Sequence, residues 1–145
     1  MTEVAFHFNV PDRLAYACRL LRKAVNNRAR LVVTGSPAEL QELSAALWKL
    51  TPTDFVPHCD LQSEARVAAA SPVLLAASVE QAPQRNVLVN LGDSVPVGFE
   101  RFERLIELVG RDAQEREAAR KRWREYAAAG HAVQGHDQAQ PAARQ

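Results

Sequence analysis

The most distinctive side chains of this 145-residue sequence lie in one segment near its C-terminal end. Arg116, Arg120 and Trp123 are spaced at i, i+4 and i+7, so a helix places them on one face. Guanidinium groups bind carboxylates through paired hydrogen bonds, and an indole ring offers a flat apolar surface. Such a face fits a peptide that carries carboxylates beside an apolar side chain. The segment is equally typical of a helix that Trp123 and Tyr126 anchor on a sheet, with the arginines solvated around it.

Two further aromatic residues lie in the segment LWKLTPTDFVPH, residues 47–58. Trp48 ends a predicted helix, and Phe55 follows in a loop that contains prolines. Large aromatic side chains near prolines can line a shallow apolar groove. They can equally fill the side of the core, and the sequence favours neither interpretation.

The sequence carries no recognisable catalytic or metal-binding pattern. His58, Cys59 and Asp60 are consecutive, but neighbouring side chains of an extended segment point in opposite directions and cannot easily bind one ion. Neither a Walker A loop nor a GxGxxG motif is present. We therefore expect no metal and no cofactor, and no group of residues here supports an enzymatic activity.

One alternative stays open at the turn Thr34–Ser36. This turn precedes a predicted helix, and the free N–H groups of a helix N-terminus can bind an anion. A small nucleotide-binding α/β enzyme that uses this turn is therefore the alternative function.

The charge balance bears on nucleic-acid binding. Eighteen Lys and Arg residues against 17 Asp and Glu give a net charge of +1, which speaks against a broad basic surface for nucleic acid. Residues 1–110 carry 11 basic and 12 acidic side chains, whereas residues 111–129 carry 6 and 4. The small surplus lies beside Trp123, so direct stacking of single-stranded DNA on this helix is a third possibility, which the overall balance disfavours. Three basic residues of this helix are expected to point away from the Trp123 face, solvated or paired with nearby carboxylates: Lys121, Arg122 and Arg124.

The sequence also predicts where the protein works. The N-terminus lacks a basic region followed by an apolar run, and no stretch approaches the roughly 18 apolar residues of a membrane span. We expect a cytoplasmic protein that makes no membrane contact.

Hydrophobic periodicity predicts the elements that position these side chains. Strands are predicted over residues 4–10, 30–34, 73–79 and 86–91, and helices over 12–26, 37–50, 99–109 and 112–129. A capping box at Ser36 and Glu39, with Pro37 between them, begins the second helix. Short apolar strands that alternate with helices predict a mainly parallel sheet covered by helices. The fold prediction is a single three-layer α/β domain over residues 1–130. Residues 131–145 are polar and are predicted to be a disordered C-terminal tail.

Over residues 1 to about 130, the sequence resembles the chi subunit of bacterial DNA polymerase III holoenzyme. The resemblance begins with FHFNV, CRLLRKA and RLVVTGSPAEL, and it is most specific at ALWKL…DFVPH and AARKRWREYAAAG. It implies a Rossmann-like domain without a phosphate-binding loop. It also implies a non-catalytic accessory role in DNA replication.

The resemblance further implies partners and a binding surface. Chi-like proteins bind the acidic, Phe-ending C-terminal tail of single-stranded DNA-binding protein. They pair with the psi subunit, which joins them to the clamp loader, and they contact DNA only indirectly. Carried over by position, the tail-binding residues are Arg116, Arg120 and Trp123, with Trp48 and Phe55 bordering the same region. The family position matched by Trp123 can be Tyr, and that of Arg116 can be Lys.

Overall fold

The computed structural model describes residues 2–49, 58–60, 72–77, 79 and 86–138. The strands in chain order are β1 (Glu3–Val10), β2 (Leu31–Thr34), β3 (His58–Asp60), β4 (Val73–Leu75), β5 (Val87–Asn90), β6 (Arg104–Gly110) and β7 (Ala132–Asp137). The helices are α1 (Arg13–Asn26), α2 (Pro37–Trp48) and α3 (Ala113–Ala128), and a short 3₁₀ turn, Phe99–Arg101, precedes β6.

The strands form one sheet in the order β3-β4-β2-β5-β6-β1-β7. Every strand pair in it is parallel. All four residues of β2 are buried, as expected for a strand whose two faces are both covered by helices. The prediction of a three-layer α/β domain built on a parallel sheet is confirmed.

Alternate residues of the buried strands contribute to two separate hydrophobic layers. In β2, Leu31 and Val33 lie in one layer and Val32 lies in the other. The first layer is completed by residues of α1 and α2, namely Ala17, Cys18, Leu21, Leu40, Leu43 and Leu47, and the second by Ala119 and Tyr126 of α3. Helices α1 and α2 therefore cover one face of the sheet, and α3 covers the opposite face.

The predicted starts of α1, α2 and α3 are confirmed by hydrogen bonds. Ser36 Oγ accepts a bond of 3.1 Å from the Glu39 N–H, and the Glu39 carboxylate accepts one of 2.9 Å from the Ser36 N–H. Pro37 is the first residue of α2. Asp12 and Asp112 cap α1 and α3 in the same way, through side-chain oxygens.

The helix predicted over residues 99–109 is wrong. This segment contains the 3₁₀ turn and the strand β6, which lies between β5 and β1 inside the sheet. All residues from Leu105 to Gly110 are buried. A short apolar run that is buried on both faces has no period of its own, so the spacing of Leu105, Ile106 and Val109 fitted a helix equally well.

The predicted boundary at residue 130 is also wrong, because β7 extends the domain to Asp137. This strand pairs with β1 in parallel, from Glu3 opposite Ala132 to Phe8 opposite Asp137. It is an edge strand whose backbone pairs with β1, and such pairing does not require apolar side chains, so its polar sequence does not prevent it from joining the sheet. The predicted disorder of residues 139–145 lies outside the described residues.

Candidate functional site

A groove runs between α3 and the sheet on the α3 face, with a volume of about 390 Å³. Three of the predicted site residues, Arg116, Arg120 and Trp123, line it together. The remaining lining residues are Phe6, Phe8, Val109, Ala119 and Arg124. The structure thus confirms that the i, i+4, i+7 face of α3 is continuous, and it adds an apolar wall from β1.

The apolar part of the groove is formed by aromatic rings. Phe6 is buried, and its ring centroid lies 5.0 Å from that of Trp123 with the two planes 35° apart. Trp123 keeps 36% of its surface exposed. The indole therefore serves both roles that the sequence left open: it packs on the sheet, and it presents apolar surface to the groove.

The charged part of the groove is a row of arginines on α3. Arg116, Arg120 and Arg124 follow one another at intervals of four residues and are all exposed. Arg120 Nη1 lies 3.7 Å from Glu117 Oε2, an exposed pair of little energetic weight. Within the described part of the chain, no carboxylate lies at ion-pair distance from Arg116 or Arg124. These guanidinium groups are available to carboxylates of a ligand.

A buried polar cluster holds α3 in place beside the groove. Glu107 of β6 is fully buried and lies 3.1 Å from Arg122, measured from Oε1 to Nε. Asn90 Nδ2 donates bonds of 3.0 and 3.1 Å to the two carboxylate oxygens, and the Tyr126 hydroxyl donates to Oε2. Arg122 and Tyr126 are one helical turn apart, so they fix the rotation of α3 about its axis.

Burial and charge act in opposite directions on the titration of this cluster. Burial raises the pKa of the Glu107 carboxyl, and Arg122, Tyr126 and Asn90 oppose that effect. Burial and the neighbouring Glu107 carboxylate raise the pKa of Tyr126. The expectation that Arg122 is solvated is wrong, because Arg122 is buried and forms an ion pair with the buried carboxylate of Glu107.

The structure does not bring Trp48 to this groove. Trp48 ends α2, with 67% of its surface exposed. Since α2 covers the opposite face of the sheet from α3, the sheet separates Trp48 from Trp123. The expectation that Trp48 borders the same region is therefore wrong. Phe55 lies outside the described residues.

A second, larger cavity of about 770 Å³ lies at the carboxyl ends of the central strands and includes the turn Thr34–Ser36. The anion position at the α2 N-terminus is occupied by Glu39, whose carboxylate accepts the Ser36 N–H. Arg13 Nη2 lies 3.2 Å from the same carboxylate. A phosphate at this turn would have to displace a side chain that already caps the helix and is itself paired, which disfavours nucleotide binding there.

Two absences hold for the residues that the structure describes. They contain no group of three or more His, Cys, Asp or Glu side chains arranged to hold a metal ion. No helix among them combines the length and the apolar character that crossing a membrane requires.

Arg124, Phe6 and Phe8 are among the lining residues of the groove that sequence reasoning missed. Arg124 was expected to point away from Arg120, although its spacing of four residues from Arg120 is a signal for a shared face. Phe6 and Phe8 alternate on β1, so they share a face. Nothing local in the sequence indicates that this face lies under α3.

Comparison with known proteins finds a family and a relative that each match nearly the whole chain. The family model described as "DNA polymerase III chi subunit, HolC" matches residues 1–134. The DNA polymerase III subunit chi of Pseudomonas aeruginosa is 32% identical over 142 residues, which cover 94% of this chain and 96% of that protein.

Proposed function

Because the chain belongs to the DNA polymerase III chi subunit family, we propose that it links the clamp loader to single-stranded DNA-binding protein. It is an accessory subunit of the replicative polymerase holoenzyme and not a catalytic one. In this proposal, the α3 groove binds the acidic, Phe-ending C-terminal tail of single-stranded DNA-binding protein.

The proposal depends on one observation, the combination of aromatic wall and arginine rim in a single groove. The tail supplies Asp carboxylates, a terminal carboxylate and a phenyl ring. The groove of about 390 Å³ has room for one such ring against the exposed surface of Trp123, in the tilted or offset contacts that aromatic pairs favour. Arg116, Arg120 and Arg124 lie within the same groove to receive the carboxylates.

The electrostatics of this site predict how binding depends on conditions. All three arginines are exposed, so their attraction to carboxylates is screened by salt. Binding should therefore be of moderate affinity and should weaken as ionic strength rises.

A linking protein needs a second surface, separate from the α3 groove. By resemblance to the family, the partner there is a psi subunit, through which the chain joins the clamp loader. The chain then reaches DNA only through other proteins, in the cytoplasm, where bacterial replication takes place.

A pulldown with full-length and tail-truncated single-stranded DNA-binding protein tests the proposal. We expect the full-length partner to be retained by the chain and the truncated partner to be lost. Retention of both forms would contradict tail recognition. Retention of single-stranded DNA without any partner would support the direct DNA-binding alternative instead.

A further inference from the structure

Gly135 of β7 lies directly against the ring of Trp123. A Cβ atom placed on Gly135 would lie 3.3 Å from Cη2 and 3.4 Å from Cζ3 of the indole. It would also lie 3.1 Å from Cε1 of Phe8. Two aromatic rings that line the groove thus meet at the one position of β7 that has no side chain.

A glycine at position 135 is explained by the lack of room for a side chain and not by the backbone conformation. Among the described glycines, only Gly98 and Gly130 have positive φ, so Gly135 adopts a conformation open to any residue. A glycine inside a strand weakens it and often marks the close approach of another group. Here the approaching group is the far edge of the Trp123 indole.

The register of the sheet places this contact at the base of the groove. Gly135 lies opposite Phe6 in the β1–β7 pair, and Phe6 itself packs on Trp123. The indole is therefore held between the bare backbone of β7 and the buried ring of Phe6. A side chain on Gly135 would have to push Trp123 and Phe8 away from β7, toward the groove that both rings line.

We propose that Gly135 is a positioning residue for peptide binding, which it supports by letting Trp123 and Phe8 settle against β7. This inference rests on the proposed function, since it assigns to Gly135 the shape of the same tail-binding groove. A larger residue at this position narrows the groove by displacing Trp123 and Phe8, although Gly135 itself is not a lining residue of the groove.

The test is Gly135→Ala in a Trp48→Phe background, where Trp123 is the only tryptophan of the chain. We expect the fluorescence emission and near-ultraviolet circular dichroism of Trp123 to change. We expect the affinity for a labelled tail peptide to fall about fivefold or more, the scale of an overpacked contact. Far-ultraviolet circular dichroism should show a retained fold.

Two further variants separate positioning from general damage to β7. Gln134→Ala changes the neighbouring side chain, which lies on the opposite face of the strand with Ala132 and His136. It should change neither the spectra of Trp123 nor the affinity for the tail peptide. Trp123→Phe removes the two indole atoms nearest Gly135. In that background, Gly135→Ala should have a smaller effect on affinity, because the contact with Trp123 is absent and only the contact with Phe8 stays.

The outcomes distinguish this inference from the proposed function. If the parent protein binds the tail peptide and Gly135→Ala binds it equally well, the positioning role is overturned and tail binding stands. If Gly135→Ala causes the same loss of affinity with Trp123 present as in the Trp123→Phe background, the positioning role is also overturned. If the parent protein does not bind the peptide at all, the proposed function fails, and the role of Gly135 in binding fails with it.

Discussion

Arg122 on α3 and Glu107 on β6 form a buried ion pair, with Nε and Oε1 3.1 Å apart. Only 4% of Arg122 and none of Glu107 is exposed. The pair joins the helix that carries the arginine row to a strand inside the sheet. It therefore determines which face of α3 is left over for a ligand, although neither side chain belongs to the proposed binding surface.

Breaking this pair from one side should be costly. In Arg122→Met, the Glu107 carboxylate stays buried without its cation, and we expect the free energy of unfolding to fall by about 3–5 kcal/mol. Glu107→Gln should also destabilise, since it leaves the guanidinium unpaired. Urea denaturation of both variants and of the double variant measures the coupling. We expect the double variant to lose much less unfolding free energy than the two single variants lose together. Strictly additive losses would contradict the pairing.

Arg120→Ala should weaken tail binding by about 1–3 kcal/mol, the scale of a charged hydrogen bond. The side chain is exposed, so the fold should be unaffected. Fluorescence titration with a labelled tail peptide at low and high salt measures the effect, which should shrink as salt rises. Lys121→Ala is the matched control, because Lys121 is an exposed cation on the same helix that lies outside the groove. An equal loss in both variants would indicate a nonspecific charge effect.

The two tryptophans should differ in their importance for binding. Trp123→Ala removes the indole that packs on Phe6 in the groove, and we expect a loss of tail affinity of tenfold or more, about 1.4 kcal/mol. Trp48→Ala alters a side chain on the opposite side of the sheet and should bind the tail as the wild type does. Isothermal titration calorimetry distinguishes these outcomes. A comparable loss for Trp48→Ala would restore this residue to the site.

His7 should contribute a pH dependence to stability. Burial lowers the pKa of His7 from 6.5 to about 4, with smaller effects from His136 and Arg104. Between these two values, the unfolded chain binds a proton at His7 that the folded chain does not bind. The free energy of unfolding should therefore decrease as pH falls through this range.

Replacing His7 by Gln removes this contribution. Urea denaturation at several pH values between 7 and 4 should show a shallower decline for His7→Gln than for the wild type. Comparing the two proteins at each pH cancels the contribution of the carboxyl groups that titrate in the same range. Identical declines would show that His7 titrates normally in the folded protein.

Features that depend on a few neighbouring residues were predictable from the sequence. The capping box of Ser36 and Glu39 forms as predicted because its two hydrogen bonds join residues three positions apart. The common face of Arg116, Arg120 and Trp123 follows from helical geometry alone. The resemblance to the chi subunit also depends on such local segments, and the family is confirmed.

Features that depend on distant contacts were not predictable in this way. The segment 99–109 has a pattern that fits a helix, and only its place between β5 and β1 makes it a strand. The burial of Glu107 depends on Arg122, Tyr126 and Asn90, which lie far from it in the sequence and pair with its carboxylate. Residues 132–137 look too polar to fold, and they are ordered because the edge of β1 offers them hydrogen bonds.

By itself, the sequence determined helices α1, α2 and α3, the parallel α/β architecture and the arginine and tryptophan face of α3, because each follows from local spacing and hydrogen bonding. The tertiary structure alone decided what that face encloses. It placed Phe6 and Phe8 under α3, set Gly135 against Trp123 and left Trp48 on the other side of the sheet. The order of the strands and the placement of the helices bring these residues together or keep them apart. Both depend on which apolar faces of distant segments pack against each other, and local spacing does not reveal that.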